Sequence, residues 1–377
     1  MAACRHQVPL GQDRQCGLTS RSTGPLAGGA HAPSARGRLA WFVRRRRERP
    51  HNVQRRTFIR SVSGGLLTVP FVARALQTEK TYRIGILEAT SAAQNRANLD
   101  AFRKGLRELG YVEGRNLIIE YRSADGQADR FPGLAAELVR LKVDLIVSRG
   151  TPAARAAQNV TETTPVVMAT MGDPRAIVAS FSHPGGNITG LTTFSTELTA
   201  KRVELLKELV PNLSRVALFH NMGNPAVPPE WEETKRAARS LALNAELFDV
   251  QSERDLRRAF DRAVRQHVGA IIIGADGLMQ AHQQAIIDFS AHNRLPAVYP
   301  AREFVDAGGL MAYGVNYPNL YFRFASYVDK IFKGAKPGDL PVEQPTKFEL
   351  VINLNTANSL GLTIPQSLRL RADELIH

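Results

Sequence analysis

Residues 143–158 read VDLIVSRGTPAARAAQ, and this stretch decides the fold. It begins with the nearly continuous apolar run that is typical of a strand buried on both faces. The turn that follows leads into Pro152, and proline is favoured in the first turn of a helix. A buried strand that passes through a short turn into a helix is the repeating unit of a parallel α/β sheet.

The same unit recurs on both sides of this stretch. The sequence predicts a first series with strands at 82–89, 116–124, 143–150 and 164–174 and helices at 96–110, 130–142 and 152–161. A Gly-rich loop at 182–194 interrupts the rhythm. A second series has helices at 198–211, 230–243, 253–267 and 279–293 and strands at 214–221, 245–250, 268–277 and 295–300, and the chain closes with a strand at 308–317, a helix at 320–334 and a β segment with a short helix at 341–362. We therefore expect two open α/β domains of similar size, joined near 190–197, each with a mostly parallel sheet and helices on both faces.

The net charge of +14 is concentrated in the first 75 residues. They hold 14 of the 49 basic side chains and two of the 35 acidic ones, so the rest of the chain has a net charge of only +2. The body therefore gives no electrostatic reason to expect nucleic-acid binding. Both cysteines, Cys4 and Cys16, also lie in this basic region, which excludes a disulfide, a thiolate metal site and a cysteine nucleophile from the body.

Residues 54–75 have the order of an export signal. The segment RRTFIR at 55–60 resembles the twin-arginine consensus, a modest apolar run follows at 61–72, and Ala-Arg-Ala at 73–75 supplies the small residues that a signal peptidase needs. The apolar run is too short to span a membrane. The alternative is an ordinary amphipathic helix with a basic start. We expect export by the twin-arginine machinery and a soluble periplasmic protein after cleavage.

The predicted strands end in residues that form hydrogen bonds. Open α/β sheets bind ligands just beyond the carboxyl ends of their strands. The side chains at these ends are mostly neutral and polar, and they suit recognition of a small polar molecule better than catalysis. The alternative is that each one is a helix cap or a turn former, and only their accumulation at one edge favours a binding site. The candidates are Glu88, Thr90, Arg149, Gly150, Thr151, Thr170, Asp173, His220, Asn221, Asn224, Asp276, Gly314, Asn316 and Tyr317.

The charged candidates suggest how such a molecule would be held. A carboxylate would be bound by Arg149 or by the free N–H groups of a helix start such as the one at Thr151. An amine would be bound by Asp276 or Glu88, and Asn221 would add polar contacts. The sequence has no phosphate-binding loop, dinucleotide fingerprint, nucleophile elbow or zinc-binding helix motif, so we expect no catalysis, no metal and no cofactor.

Five segments together make the chain similar to a known family. They are GTPAARAAQ (150–158), TPVVMATMGDP (164–174), HPGGNITGLT (183–192), GLMAYGVNY (309–317) and NLNTANSLGLTIP (353–365). With them the chain resembles the periplasmic substrate-binding proteins of ABC transporters, in the family that includes binders of aromatic and other amino acids. The resemblance covers about residues 80–365.

This resemblance implies a two-lobed periplasmic-binding fold of type I with a crossing hinge. Lobe 1 would comprise 80–192 and about 316–340, and lobe 2 would comprise 193–315 and about 341–370. The cleft contacts would fall at 88–90, 149–151, 170–173, 220–224, 276 and 314–317. Family members that bind amino acids often have small residues after the first strand. Glu88 would therefore receive a ligand amine or indicate a different class of ligand.

The sequence thus predicts an exported, monomeric solute-binding protein that captures an amino acid or a related small acid and delivers it to a membrane ABC permease. Two alternatives remain at this stage. One is a sensor that uses the same fold, which would need an additional signalling or DNA-binding module. The other is an α/β enzyme with an unrecognised site.

We also predict that translation starts near Val53 and that residues 1–53, rich in Gly, Ser, Pro and Arg, are a disordered leader that is an over-extension of the coding sequence. No methionine lies between Met1 and Met168, so this start would use a non-standard codon. N-terminal sequencing of the precursor should therefore begin near Val53. Detection of peptides from 1–52 in native cells would contradict this prediction.

Overall fold

The computed structural model describes residues 80–172, 174–193 and 195–377. All of them belong to one unit of the chain, Arg74–His377. The predicted leader at 1–53, the predicted export signal at 54–75 and the candidate Asp173 lie outside the described residues. Among the described residues, no helix has both the length and the apolar character that crossing a membrane requires.

The first sheet has five parallel strands in the order β2-β1-β3-β4-β5. Its strands are β1 (Tyr82–Glu88), β2 (Leu117–Ser123), β3 (Leu145–Arg149), β4 (Val166–Thr170) and β5 (Ile188–Gly190), and the helices between them are α1 (Arg96–Glu108), α2 (Phe131–Arg140) and α3 (Thr151–Val160). Ile84 and Ile86 on β1 are fully buried, as expected for a strand with helices on both faces. Leu99, Phe102 and Leu106 recur at helical spacing on α1, and all three are buried.

The second sheet has seven strands in the order β12-β11-β10-β9-β8-β6-β7. Its strands are β6 (Arg215–His220), β7 (Asn244–Asp249), β8 (Ala270–Ile273), β9 (Ala297–Tyr299), β10 (Met311–Gly314), β11 (Glu349–Asn353) and β12 (Glu374–Ile376). Its helices are α4 (Ser195–Leu209), α5 (Val227–Ser240), α6 (Glu253–Arg265), α7 (Gly277–Ala281), α8 (Gln283–His292), α9 (Arg302–Asp306), α11 (Leu354–Ser359) and α12 (Gln366–Arg371). All strand pairs are parallel except β10 with β11. The prediction of two mostly parallel α/β sheets is confirmed.

One helix leaves the second sheet and packs on the first. Helix α10 (Tyr317–Phe332) follows β10, yet it lies against α1. The rings of Phe102 and Phe324 are 4.9 Å apart, and a Cβ on Gly105 would lie 2.6 Å from the carbonyl oxygen of Phe322. We call the first sheet with α1, α2, α3 and α10 lobe 1, and the second sheet with the other helices lobe 2.

Some short elements differ from the predictions. The single helix predicted at 279–293 is two helices, α7 and α8, which meet at His282. Strand β5 was predicted as loop because only three of its residues pair, which is too few to produce a periodic pattern. Helix α9 and strand β12 were not predicted, for the same reason of length.

Three residues of the Gly-rich loop at 182–194 have structural roles. The side-chain amide of Asn187 donates to the carbonyl oxygens of Thr161 and Thr164 at 2.9 and 2.8 Å, and the hydroxyl of Thr189 donates to the carbonyl oxygen of Leu340 at 2.7 Å. Gly190 has a φ of +138°, and a Cβ there would lie 2.1 Å from the carbonyl oxygen of Met168. This loop therefore fixes the edge of the first sheet.

Gly190→Ala should destabilise the protein by about 3 kcal/mol, because the new methyl group combines backbone strain with overlap against a rigid backbone atom. Urea denaturation would measure the loss. Gly133→Ala on α2 is the matched control, since a Cβ there meets no atom within 4 Å and alanine favours a helix by about 0.5–1 kcal/mol over glycine. Equal stabilities for the two variants would contradict the assigned backbone of β5.

Candidate functional site

A cavity lies where the carboxyl ends of the strands of both lobes face each other. Its volume, counted as the space that the centres of water molecules can occupy, is about 70 Å³. One water molecule needs about 10–15 Å³ by the same measure. The cavity therefore has room for a small organic molecule. Lobe 1 contributes residues that follow β1, β3 and β4, and lobe 2 contributes residues that follow β6, β8 and β9. This is the position expected for a ligand site in open α/β sheets.

The structure brings eight of the predicted residues to the cavity wall. They are Arg149, Gly150, Thr151, Thr170, Asn221, Asn224, Asp276 and Tyr317. Five others lie outside the wall, namely Glu88, Thr90, His220, Gly314 and Asn316. Asp173 lies outside the described residues.

Asp276 is the acidic group of the lobe 2 wall. Its Oδ1 accepts a hydrogen bond from the backbone N–H of Leu278 at 2.9 Å, and its Oδ2 accepts one from the side-chain amide of Asn224 at 2.9 Å. The amide of Asn221 lies 3.5 Å from Oδ1. Asp276 is thus both a helix cap and a part of the cavity, and its fixed carboxylate can receive an ammonium group.

Lobe 1 presents positive groups to the same cavity. Gly150 has a φ of +82°, a conformation that turns the chain sharply from β3 into α3. Thr151 and Pro152, in the first turn of this ten-residue helix, line the wall. The first N–H groups of a helix have no partner within it and attract anions. A carboxylate placed at this helix start would therefore be stabilised by these N–H groups.

Arg149 adds a formal charge beside that helix start. Its side chain is about nine-tenths buried, its guanidinium carbon lies 4.3 Å from the ring centre of Tyr317, and its Nη1 donates to Oδ1 of Asn95 at 3.2 Å. Burial disfavours the charged form of Arg149, but the oxygens of Tyr321 and Glu88 around it outweigh that effect and raise its pKa. The cation is therefore held in a fixed position at the wall.

Glu88 lies behind the wall and does not face the cavity. Its Oε1 accepts hydrogen bonds from the side-chain amide of Asn95 at 2.9 Å and from the hydroxyl of Tyr321, and its Oε2 has no hydrogen-bond partner in the part of the chain that the structure describes. Burial raises the pKa of Glu88 above its ordinary value of 4.5, against the opposing effect of Arg149. Of the two acids predicted to bind a ligand amine, Asp276 lines the cavity and Glu88 does not.

His220 is a buried support for a wall residue. Its Nδ1 accepts a hydrogen bond from the backbone N–H of Asn221 at 3.1 Å, so its Nε2 carries the proton and donates to Glu230 at 2.8 Å. His220 was predicted as a ligand-binding residue, but the structure places it behind the wall, where it makes these two contacts. Both hold the chain that positions Asn221.

The other three residues outside the wall have structural contacts. The carbonyl oxygen of Thr90 accepts from the hydroxyl of Tyr121 at 2.7 Å. A Cβ on Gly314 would lie 2.0 Å from the carbonyl oxygen of Pro300, so the position has no room for a side chain. Asn316 caps α10.

The sequence analysis missed the apolar part of the wall. Phe131 at the start of α2, Met171 after β4, and Leu278 and Phe304 on α7 and α9 all border the cavity. Met171 directly follows β4, but the sequence analysis considered only polar side chains at the ends of strands. Among the described residues, no cluster of three His, Cys, Asp or Glu side chains could hold a metal ion.

Comparison with known proteins gives four informative similarities. A sequence model of the family described as ABC transporter substrate binding protein matches residues 83–376. A tyrosine-binding protein from Clostridioides difficile (strain R20291) is 23% identical over 287 residues, which cover 76% of this chain and 82% of that protein. The crystal structure of an ABC domain in complex with L-Trp from Streptococcus pneumoniae is 28% identical, with a TM-score of 0.70, over 78% of this chain and 100% of that chain.

A conserved domain protein from Vibrio cholerae has the same architecture. Its crystal structure is 27% identical, with a TM-score of 0.73, and the match covers 78% of this chain and 100% of that one. With these neighbours, the two sheets of mostly parallel strands are identified as the type I periplasmic-binding fold.

The raised pKa of Glu88 predicts a pH-dependent stability difference between the wild type and Glu88→Gln. The folded state favours the protonated acid, so the wild type should lose stability as the pH rises above about 4.5, by at most about 1.4 kcal/mol per pH unit, until the folded-state pKa is passed. Glutamine keeps an acceptor for Tyr321 and Asn95 and lacks this loss. The stability of Glu88→Gln relative to the wild type should therefore increase from pH 4.5 to pH 7.5 in urea denaturation.

Glu108→Gln, at an exposed position, controls for the general effect of removing one carboxylate. A difference between Glu88→Gln and the wild type that stays constant over this pH range would contradict a raised pKa at Glu88.

Proposed function

The chain belongs to the family of ABC transporter substrate-binding proteins, and from that membership we propose that it captures an α-amino acid with an aromatic side chain between its two lobes. The observation that carries the proposal is the arrangement of charge across the cavity. Asp276 stands on one lobe, and Arg149 with the first turn of α3 stands on the other. An amino acid carries the complementary ammonium and carboxylate groups on one carbon atom.

The apolar wall supports an aromatic side chain for this ligand. Phe131, Phe304 and the ring of Tyr317 border the same space as the charged groups. Aromatic rings stack favourably on other rings and exclude water from nearby charges. The tyrosine-binding relative and the relative solved in complex with L-Trp support the same class of ligand.

The ligand would act by joining the lobes. A molecule that contacts both lobes binds the closed form better than the open form and so shifts the population towards closure. We propose that lobe 1 comprises 80–192 and about 316–340 and that lobe 2 comprises 193–315 and about 341–370, with the hinge in the segments between them. The closed, loaded protein would then dock on a membrane permease, which takes up the amino acid.

The proposal also states where the protein works and that it acts by binding alone. The protein would work outside the cytoplasm, after export directed by the predicted twin-arginine signal at 54–75. It would catalyse no reaction, because its role is to bind and deliver the ligand, and it would act as a monomer without metal or cofactor. A turnover assay with the bound amino acid would test the absence of catalysis.

Isothermal titration with a panel of amino acids tests the ligand. We expect L-tryptophan, L-tyrosine or L-phenylalanine to bind and their N-acetyl derivatives to bind much more weakly, since acetylation removes the ammonium group that faces Asp276. Asp276→Asn should weaken binding of the free amino acid at least about tenfold, the effect of losing a hydrogen bond to a charged group.

Asp261→Asn is the matched control for this substitution. Asp261 lies on α6 in the same lobe and is exposed, but it does not line the cavity, so its variant should keep the wild-type affinity. Absence of binding by every amino acid, or equal affinity for free and acetylated forms, would exclude the proposed ligand.

A further inference from the structure

A buried line of polar side chains connects the cavity wall of lobe 1 with lobe 2. It begins at Arg149, whose Nη1 donates to Oδ1 of Asn95 at 3.2 Å. The same oxygen accepts from Nδ2 of Asn98 at 2.9 Å. Nδ2 of Asn98 also lies 3.3 Å from Oε1 of Glu303, which it reaches across the lobe boundary from α1 to α9. We call these four residues the relay.

The relay is shielded from water on the lobe 1 side. Asn95 and Asn98 are only 1% and 2% exposed. A buried amide needs its hydrogen bonds, because no solvent replaces a lost partner. The two hydrogens of Asn98 Nδ2 are shared between one acceptor in its own lobe and one in the other lobe. Contact between the lobes therefore gives Nδ2 of Asn98 its second acceptor, while Oδ1 of Asn98 stays without a hydrogen-bond partner among the described residues.

Glu303 also acts on Arg149 through its charge. Its carboxylate is among the groups that stabilise the Arg149 cation, although it stands on the opposite lobe and does not line the cavity. A hydrogen bond in which one partner is charged is stronger than a neutral one, and bonds in a chain polarise each other. The position of Arg149 and the position of lobe 2 are thus linked by contacts that no ligand atom makes.

We propose that Asn98 and Glu303 are positioning residues that couple the orientation of Arg149 to closure of the lobes. Asn98 holds Asn95, and Asn95 holds the guanidinium at the wall. Glu303 engages Asn98 only where the lobes meet. The ligand affinity of this protein then depends on a contact outside the ligand site. This inference rests on the proposed function in one respect, namely that Arg149 binds the ligand.

A second contact between the lobes provides a matched control. The side-chain amide of Gln94 donates to the carbonyl oxygen of Ala281 at 3.2 Å, at an exposed position. This bond also joins lobe 1 to lobe 2. Gln94 precedes Asn95 in the chain and its Oε1 also contacts Ser91, but Gln94→Ala leaves the side-chain hydrogen bonds of Asn95 and Asn98 in place.

A double-mutant cycle tests the proposal in the full chain. Asn98→Ala, Glu303→Ala and the double variant would be titrated with L-tryptophan and L-tyrosine. Each single variant should bind about tenfold more weakly than the wild type, and the double variant should be no weaker than the single ones, because either change breaks the same contact. Gln94→Ala should stay within about twofold of the wild type.

A second readout separates positioning from general stability and from the choice of ligand. Small-angle scattering of the unliganded proteins reports how far the lobes are closed. Asn98→Ala and Glu303→Ala should both increase the radius of gyration relative to the wild type, whereas Gln94→Ala should not. Thermal midpoints of the unliganded Glu303→Ala and wild-type proteins should agree, since the lost hydrogen bond joins the two lobes and is not part of the packing within either one.

The possible results distinguish failure of the proposed ligand from failure of the relay. If the wild type binds neither of these amino acids nor L-phenylalanine, the proposed ligand is wrong and the relay is judged by scattering alone. Additive losses in the cycle, unchanged affinity with unchanged scattering, or an equal effect of Gln94→Ala would each overturn the relay. A fall in thermal midpoint with no change in scattering would show a merely structural role and would also overturn it.

Discussion

Parallel pairing of the strands is the constraint from which the cavity follows. All strands of a parallel sheet end at the same edge, so every turn that leads from a strand into a helix lies there. In this protein two such edges face each other, and they bring groups that are far apart in sequence to one space. Arg149 at the end of β3 and Asp276 after β8 reach opposite sides of the cavity without any local signal that relates them.

Burial of charge determines what the cavity can hold. Arg149 keeps its charge inside lobe 1, while burial favours the neutral form of the neighbouring Glu88. A buried cation is stabilised by negative charge placed beside it. A ligand carboxylate would supply such charge, and the Glu303 carboxylate on the other lobe is one of the groups that raise the pKa of Arg149. The same balance explains why a polar relay persists in an otherwise apolar interior.

The long apolar strands and the regularly spaced helices were predictable because each element carries its own pattern over many residues. The strand-end rule also identified Arg149, Thr151, Asn221 and Asp276, since topology alone places such residues at the edge. The rule could not separate them from Glu88 and His220. Side chains alternate between the faces of a strand, and the face that meets a ligand depends on packing that only the fold supplies.

The relay was beyond sequence reasoning for a related reason. Asn98 and Glu303 are about two hundred residues apart, and neither stands in a motif. Phe131 and Phe304 were missed because an apolar residue at the start of a helix is indistinguishable from an ordinary core residue until the cavity is seen. Short elements such as β5 depend on their neighbours for pairing and have too few residues to reveal themselves.

The return of α10 to lobe 1 has a consequence for how the chain reaches this structure. Phe102 packs on Phe324, so lobe 1 lacks one of its helices until strands β6 to β10 of lobe 2 and then α10 have been synthesised. Lobe 1 therefore cannot complete its folding as soon as its first residues leave the ribosome. Contacts between residues that are far apart in the sequence also form slowly. Until α10 is synthesised, α1 would expose the apolar face that α10 later covers. A chaperone would find a binding site on this face during that time.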